Sequence, residues 1–88
     1  MAKMPKADAE LDATGLICPL PVLRANRALK TLAPGARLRI RATDPAAKSD
    51  FPVYCGATGN VLEWSGEQAG EFVFVVRKAA KPGVPGAR

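Results

Sequence analysis

Cys18 stands directly before a Pro-Leu-Pro step, so the chain reads Cys18-Pro19-Leu20-Pro21. A cysteine acts as a nucleophile through its thiolate, and its surroundings set how readily that thiolate forms. Proline is well tolerated in the first turn of a helix. Pro19 therefore marks a helix start and places Cys18 at the N-cap. There the sulfur would lie near free backbone N–H groups and the positive end of the helix dipole. Both would favour thiolate over thiol, and would stabilise a persulfide anion as well. Pro19 fixes the backbone beside the sulfur, and Pro21 stiffens the turn.

What the chain lacks narrows this chemistry. It contains 2 cysteines and no histidine. Ser-His-Asp hydrolysis and Cys-His proteolysis are excluded, and no cysteine pair has metal-ligand spacing. No cofactor or metal is implied. A dithiol oxidoreductase needs a resolving thiol, yet residue 21 is proline. A lone reactive thiol suits the relay of a single atom from one partner to another. Cys55 lies in the apolar stretch Phe51-Pro52-Val53-Tyr54 and reads as a core thiol. A redox sensor pairing Cys18 with Cys55 is a further reading. No pair of carboxylates is evidently placed for acid–base work.

Basic residues supply the next set of candidates. With 13 Lys+Arg against 8 Asp+Glu, the net charge of +5 attracts acidic partners of several kinds. Arg24, Arg27 and Lys30 recur at helical spacing beside the thiol. They form either a solvated face or a docking surface for an acidic protein partner. Arg37, Arg39 and Arg41 alternate along a strand, with Leu38 and Ile40 facing the other way. Glu63 and Glu71 on neighbouring strands are the cross-strand groups that would offset such a row. The alternative is a regulatory module that contacts RNA or an acidic protein through this row. Direct contact with nucleic acid is disfavoured, because interleaved stacking aromatics are missing.

The elements that must position these residues follow from periodicity. Residues 10–12 read as a short strand and 14–17 as a loop carrying Gly15. Val22, Ala25, Leu29 and Leu32 recur at helical spacing, and Pro34-Gly35 ends that helix. Residues 36–42 form a strand with one solvated face. Thr43 or Asp44 caps a second helix within residues 46–56, with Pro52 best placed if that helix opens at Phe51 under an Asp50 cap. Residues 61–65 and 71–78 read as strands joined by a loop over 66–70. The expected fold is α+β: a two-layer sandwich, βαβαββ, with a four-stranded mixed sheet and two helices on one face. The domain organisation is one folded domain over residues 10–80, with flexible tails at 1–9 and 81–88. A polar start without an apolar run, and no stretch near the ~20 residues that span a bilayer, point to the cytoplasm and away from membranes.

The stretch from Leu11 to Val22, with Cys-Pro-Leu-Pro at its centre, resembles the opening signature of the TusA/SirA-like family. Pro34-Gly35, Asp44-Pro45-Ala46, Asp50-Phe51-Pro52 and Cys55 continue the resemblance in register. It covers about residues 10–79. It implies a fold similar to the C-terminal domain of translation initiation factor 3. It further implies a sulfur carrier or sulfurtransferase with Cys18 as the persulfide site, and positioning roles for Asp12, Gly15, Pro19 and Pro21. The implied partners are a protein sulfur donor, either a cysteine desulfurase or a rhodanese, and a protein acceptor. The implied destinations are tRNA thiolation, molybdenum-cofactor assembly or sulfur oxidation. One departure is Asn60, where related sequences often carry histidine.

Overall fold

The computed structural model describes residues 4–80 of the chain. The expected carboxy-terminal tail at 81–88 lies outside the described residues.

Six elements follow in the expected order. They are β1 (Ala9–Ala13), α1 (Leu20–Lys30), β2 (Arg37–Ala42), α2 (Ala47–Thr58), β3 (Val61–Gln68) and β4 (Glu71–Arg77). The sheet order is β1-β2-β4-β3. β1 runs parallel to β2, and the other two pairings are antiparallel, so the sheet is mixed. The fold is thus the expected α+β sandwich. β1 begins at Ala9, and Asp8 is already tied to β2: its N–H donates to the Arg37 carbonyl, and its carboxylate accepts from the Arg37 N–H.

The core lies between the sheet and the helices, where burying apolar surface supplies the main stabilising term. α1 buries Pro21, Ala25 and Leu29, the stripe set by its helical period. α2 buries Ala47, Phe51 and Cys55. These meet Leu38, Ile40, Phe74 and Val76 from the sheet. Phe51 stacks on Phe74 with ring centroids 4.6 Å apart, which couples α2 to the central strand β4.

Three local expectations are corrected. First, α2 opens at Ala47, not Phe51, and Pro52 lies inside it. Pro45 and Ala46 start the turn early, because the N–H groups of Lys48, Ser49 and Asp50 already bond back to Pro45 and Ala46. Asp50 therefore does not cap the helix. Second, β3 extends to Gln68, and the loop shrinks to Ala69-Gly70. Both residues have positive φ, 53° and 80°, as a two-residue hairpin turn twisted to match its strands requires. Third, the sheet face away from the helices is not simply solvated. Val73 and Val75 are fully buried there, in register with Arg41, Arg39 and Trp64. Trp64 lies over Gly66, where a Cβ would approach the indole to 2.6 Å. The arginine stems and the indole roof the two valines.

The arginine row is compensated from neighbouring strands. Glu63 accepts from Arg37 Nε at 2.5 Å and from Arg77 Nε at 2.6 Å. Arg41 Nε donates to Glu71 at 2.8 Å, and Arg39 lies 3.5 Å from Glu10. Among the described residues no helix is long and apolar enough to cross a membrane.

Candidate functional site

The loop between β1 and α1 is shaped by short-range hydrogen bonds. Asp12 Oδ1 accepts from the backbone N–H and the hydroxyl of Thr14, at 3.0 and 2.6 Å. These bonds hold the Asp12 carboxyl below its ordinary range. Gly15 follows at φ 80°, a conformation that favours glycine, and its N–H donates to the Thr43 hydroxyl at 2.9 Å. The chain is thereby pinned to the end of β2 just before it reaches Cys18.

Cys18 is solvent-exposed, but it is not the N-cap. Pro19 is the N-cap and α1 starts at Leu20, so the thiol stands one residue further out. The Cys18–Pro19 peptide bond is cis. The Cys18 N–H donates to Asp44 Oδ2 at 2.6 Å, and Asp44 Oδ1 accepts from the Ala46 N–H at 3.0 Å. These two bonds hold the Asp44 carboxyl below its ordinary range. Pro21 is buried beneath the first turn of α1, whereas Pro19 is exposed on the rim.

The electrostatic expectation for the sulfur is reversed. The Cys18 thiol is pushed up from its ordinary value, first by a hydrogen bond to Asp50, then by partial desolvation and the charges of Asp50 and Asp44. The negative charges of Asp50 and Asp44 thus favour the neutral thiol. Cys55 differs in kind. It is 5% exposed within the core, and burial pushes it up to about 11. Both cysteines are free thiols, and Cys55 faces the core beneath α2.

Cys18 opens onto a groove of about 320 Å³ between the two helices. Pro19 and Val22 form one wall, and Ser49, Asp50, Val53 and Tyr54 form the other. Tyr54 is fixed behind it: its hydroxyl donates to Asn26 Oδ1 at 2.9 Å and accepts from Asn60 Nδ2 at 3.2 Å. Asn60 Oδ1 also accepts from the Ala79 N–H, so this departure from the related sequences serves as a structural tie. Exposed apolar side chains form a collar near the groove: Val53 in its wall is 71% exposed, Ile17 next to Cys18 in sequence 70%, and Leu23 in the adjoining cleft 52%. Arg24 and Arg27 border the adjoining cleft beside Leu20 and Leu23. Lys30, one turn further along the helix, is exposed as well.

Of the residues singled out from sequence, Asp12, Gly15, Cys18, Pro19 and Pro21 are brought together at one end of the sandwich. Arg24, Arg27 and Lys30 run away from it along α1. Sequence reasoning passed over Asp44 and Asp50 as partners of the thiol. Both lay in segments already noted as matching, 44–46 and 50–52. Their convergence depends on α2 packing beside α1, which local patterns do not report. Among the described residues, no group of three or more His, Cys, Asp or Glu is placed to hold a metal ion.

Comparison with known proteins gives a consistent result. A family model described as sulfurtransferase TusA matches residues 9–78. The chain is similar to the sulfur carrier protein TusA of Allochromatium vinosum, 46% identical over 72 residues, covering 82% of this chain and 95% of that one. It is also similar to the sulfur carrier protein TusA of Pseudomonas paraeruginosa, 44% identical over 73 residues, covering 83% and 92%. A crystal structure of a SirA-like protein from Desulfitobacterium hafniense shares the fold, with TM-score 0.70 at 22% identity, over 81% of this chain and 97% of that one. The family-model match over residues 9–78, with relatives at 44–46% identity along most of both chains, places this chain in the TusA family of sulfur carriers.

Proposed function

We propose that this chain accepts a sulfur atom on Cys18 as a persulfide from a donor protein and surrenders it to an acceptor protein. The observation that carries this reading is the exposure of Cys18 at the mouth of an apolar-walled groove, while the second thiol is buried in the core. A persulfide is bulkier than a thiol, and the groove beside the sulfur has room for it. The apolar collar of Ile17, Leu20, Leu23 and Val53 suits contact with a protein, since exposed apolar clusters mark interaction sites. A cysteine desulfurase or a rhodanese fits the donor role. The acceptor belongs to tRNA thiolation, molybdenum-cofactor assembly or sulfur oxidation. Cys18 is the catalytic residue in this reading. Asp12, Gly15, Pro19 and Pro21 position it, and Arg24, Arg27 and Lys30 meet the partner.

The test is direct. The protein is incubated with a cysteine desulfurase and cysteine, and its intact mass is measured. Wild type gains one sulfur atom and Cys18→Ala gains none. Failure of wild type to gain sulfur, or a gain by Cys18→Ala, overturns the proposal. The alternative of RNA contact through Arg37, Arg39 and Arg41 is weakened by their pairing with Glu63, Glu10 and Glu71.

A further inference from the structure

A second cleft opens beside α2, lined by none of the residues of the Cys18 groove. It encloses about 260 Å³ between Lys48, Ser65, Gly66, Glu67, Phe72 and Phe74. Strand register accounts for it. Ser65 pairs with Phe74 and Glu67 with Phe72, so these four side chains share the helix side of the sheet. Phe51 of α2 stacks on Phe74, which is 2% exposed. Phe72 lies beyond that stack and is only half-buried. Lys48 Nζ stands 5.6 Å from its ring centroid. On β3 the facing positions, Ser65 and Glu67, are both exposed and supply polar atoms rather than an apolar cover.

The charges at the rim are unmatched. Among the described residues neither Lys48 nor Glu67 forms a salt bridge. The neighbouring acids are directed elsewhere: Glu71 is taken up by Arg41, and Asp50 lines the Cys18 groove. A cation entering the cleft would meet the like charge of Lys48 above the aromatic floor, whereas an anion meets the opposite one. Lys48 also stands in the first turn of α2, where the positive end of the helix dipole favours an anion. Glu67, on the exposed strand end, keeps its charge in water, where its effect is weakest. Small-ligand sites run from about 300 Å³ upward, so a cleft of this volume suits a single ring with one acidic group.

We propose that this cleft binds a small aromatic carboxylate, whose acid pairs with Lys48 Nζ and whose ring lies against Phe72. Offset stacking on the phenyl face selects a flat body, and the ammonium selects the charge. The site uses none of the residues assigned to sulfur transfer and stands apart from that reading.

The probe is sodium benzoate, titrated into the isotope-labelled protein in low-salt buffer near pH 7 and followed through backbone amide shifts. Saturable shifts are expected at Ser65, Gly66, Glu67 and Phe72, with a dissociation constant on the order of 1 mM. Lys48→Gln is expected to weaken binding by about 10-fold. Lys48 is exposed, and an otherwise unchanged spectrum verifies that the variant folds. Benzyl alcohol, a similar ring without the charge, is expected to bind wild type about 10-fold more weakly than benzoate. Cyclohexanecarboxylate, the same charge without a flat face, is expected to bind several-fold more weakly. Shifts that fail to saturate, that centre on the Cys18 groove or α1, or that persist unweakened in Lys48→Gln overturn the assignment. Equal binding of benzyl alcohol or of cyclohexanecarboxylate also overturns it, by removing the charge or the ring from recognition. Each of these outcomes leaves sulfur acceptance by Cys18 to its own test.

Discussion

Asp44 Oδ2 accepts the backbone N–H of Cys18 at 2.6 Å, across 26 residues of sequence. Its other oxygen holds the Ala46 N–H at 3.0 Å. One carboxylate therefore joins the loop that carries the thiol to the start of α2, whose first turn carries Asp50. The position of the sulfur relative to Asp50 depends on this bridge.

Removing the bridge should loosen the thiol. In Asp44→Ala the Cys18 N–H loses its acceptor and the sulfur loses one negative charge acting on it. Alkylation of Cys18 by iodoacetamide at neutral pH is expected to rise several-fold, and Asp44→Asn to lie between. Equal rates in all three proteins would show that the bridge does not control the thiol.

Acid should destabilise the fold through its paired carboxylates. Glu63 is held below its ordinary value of 4.5, chiefly by hydrogen bonds from Arg37 and Arg77. Asp44 and Asp12 are held below 3.8 by their hydrogen bonds. A carboxyl whose folded value is depressed contributes stability that is present above its unfolded value and lost as pH falls through the folded one. The urea midpoint should thus be level near neutrality and drop as pH falls below about 4.5. Glu63→Gln should cost about 1 kcal/mol near neutrality and flatten that acid limb. An acid limb as steep as wild type would assign it to other groups.

Much of this arrangement was legible in the sequence, and the exceptions have physical causes. The alternation of Leu38 and Ile40 with three arginines named β2, its core face and its Glu63 and Glu71 partners. The period of Val22, Ala25 and Leu29 gave α1. The hairpin was misjudged because Gly66 looked like a turn residue. It is a strand residue that makes room for Trp64, and the turn falls on Ala69, an unusual residue for positive φ. The thiol was misjudged because helix-dipole reasoning uses only neighbours in sequence. The groups that dominate, Asp44 and Asp50, arrive from 26 and 32 residues away in the chain (44 − 18 and 50 − 18).

The two thiols should separate cleanly in reactivity. Cys55 is packed in the core and pushed up to about 11 by burial. In the folded protein an aromatic disulfide reagent near pH 8 should label Cys18 alone, and in denaturant it should label both. Between the ordinary value of 9.0 and about 11, the unfolded chain loses the Cys55 proton while the folded chain keeps it, so stability should fall as pH rises through that window. Cys55→Ala should abolish that thiol's contribution to the alkaline loss and leave Cys18 labelling unchanged. Two thiols labelled at similar rates in the native protein would contradict the packing of α2.

The exposed bases of α1 should matter only when the donor is a protein. Arg24, Arg27 and Lys30 flank the apolar collar, and none forms a salt bridge among the described residues. Unpaired charges on a rim act mainly on the rate of encounter and on its salt dependence. Arg24→Glu combined with Arg27→Glu is expected to slow sulfur acceptance from a cysteine desulfurase by about 10-fold at low salt. Acceptance from glutathione persulfide should not change, because a small donor needs no docking face. Added salt should slow the wild type toward the double variant, since exposed charges are screened beyond about 10 Å at 0.1 M. Unchanged transfer from the protein donor would place the docking surface on the apolar collar alone.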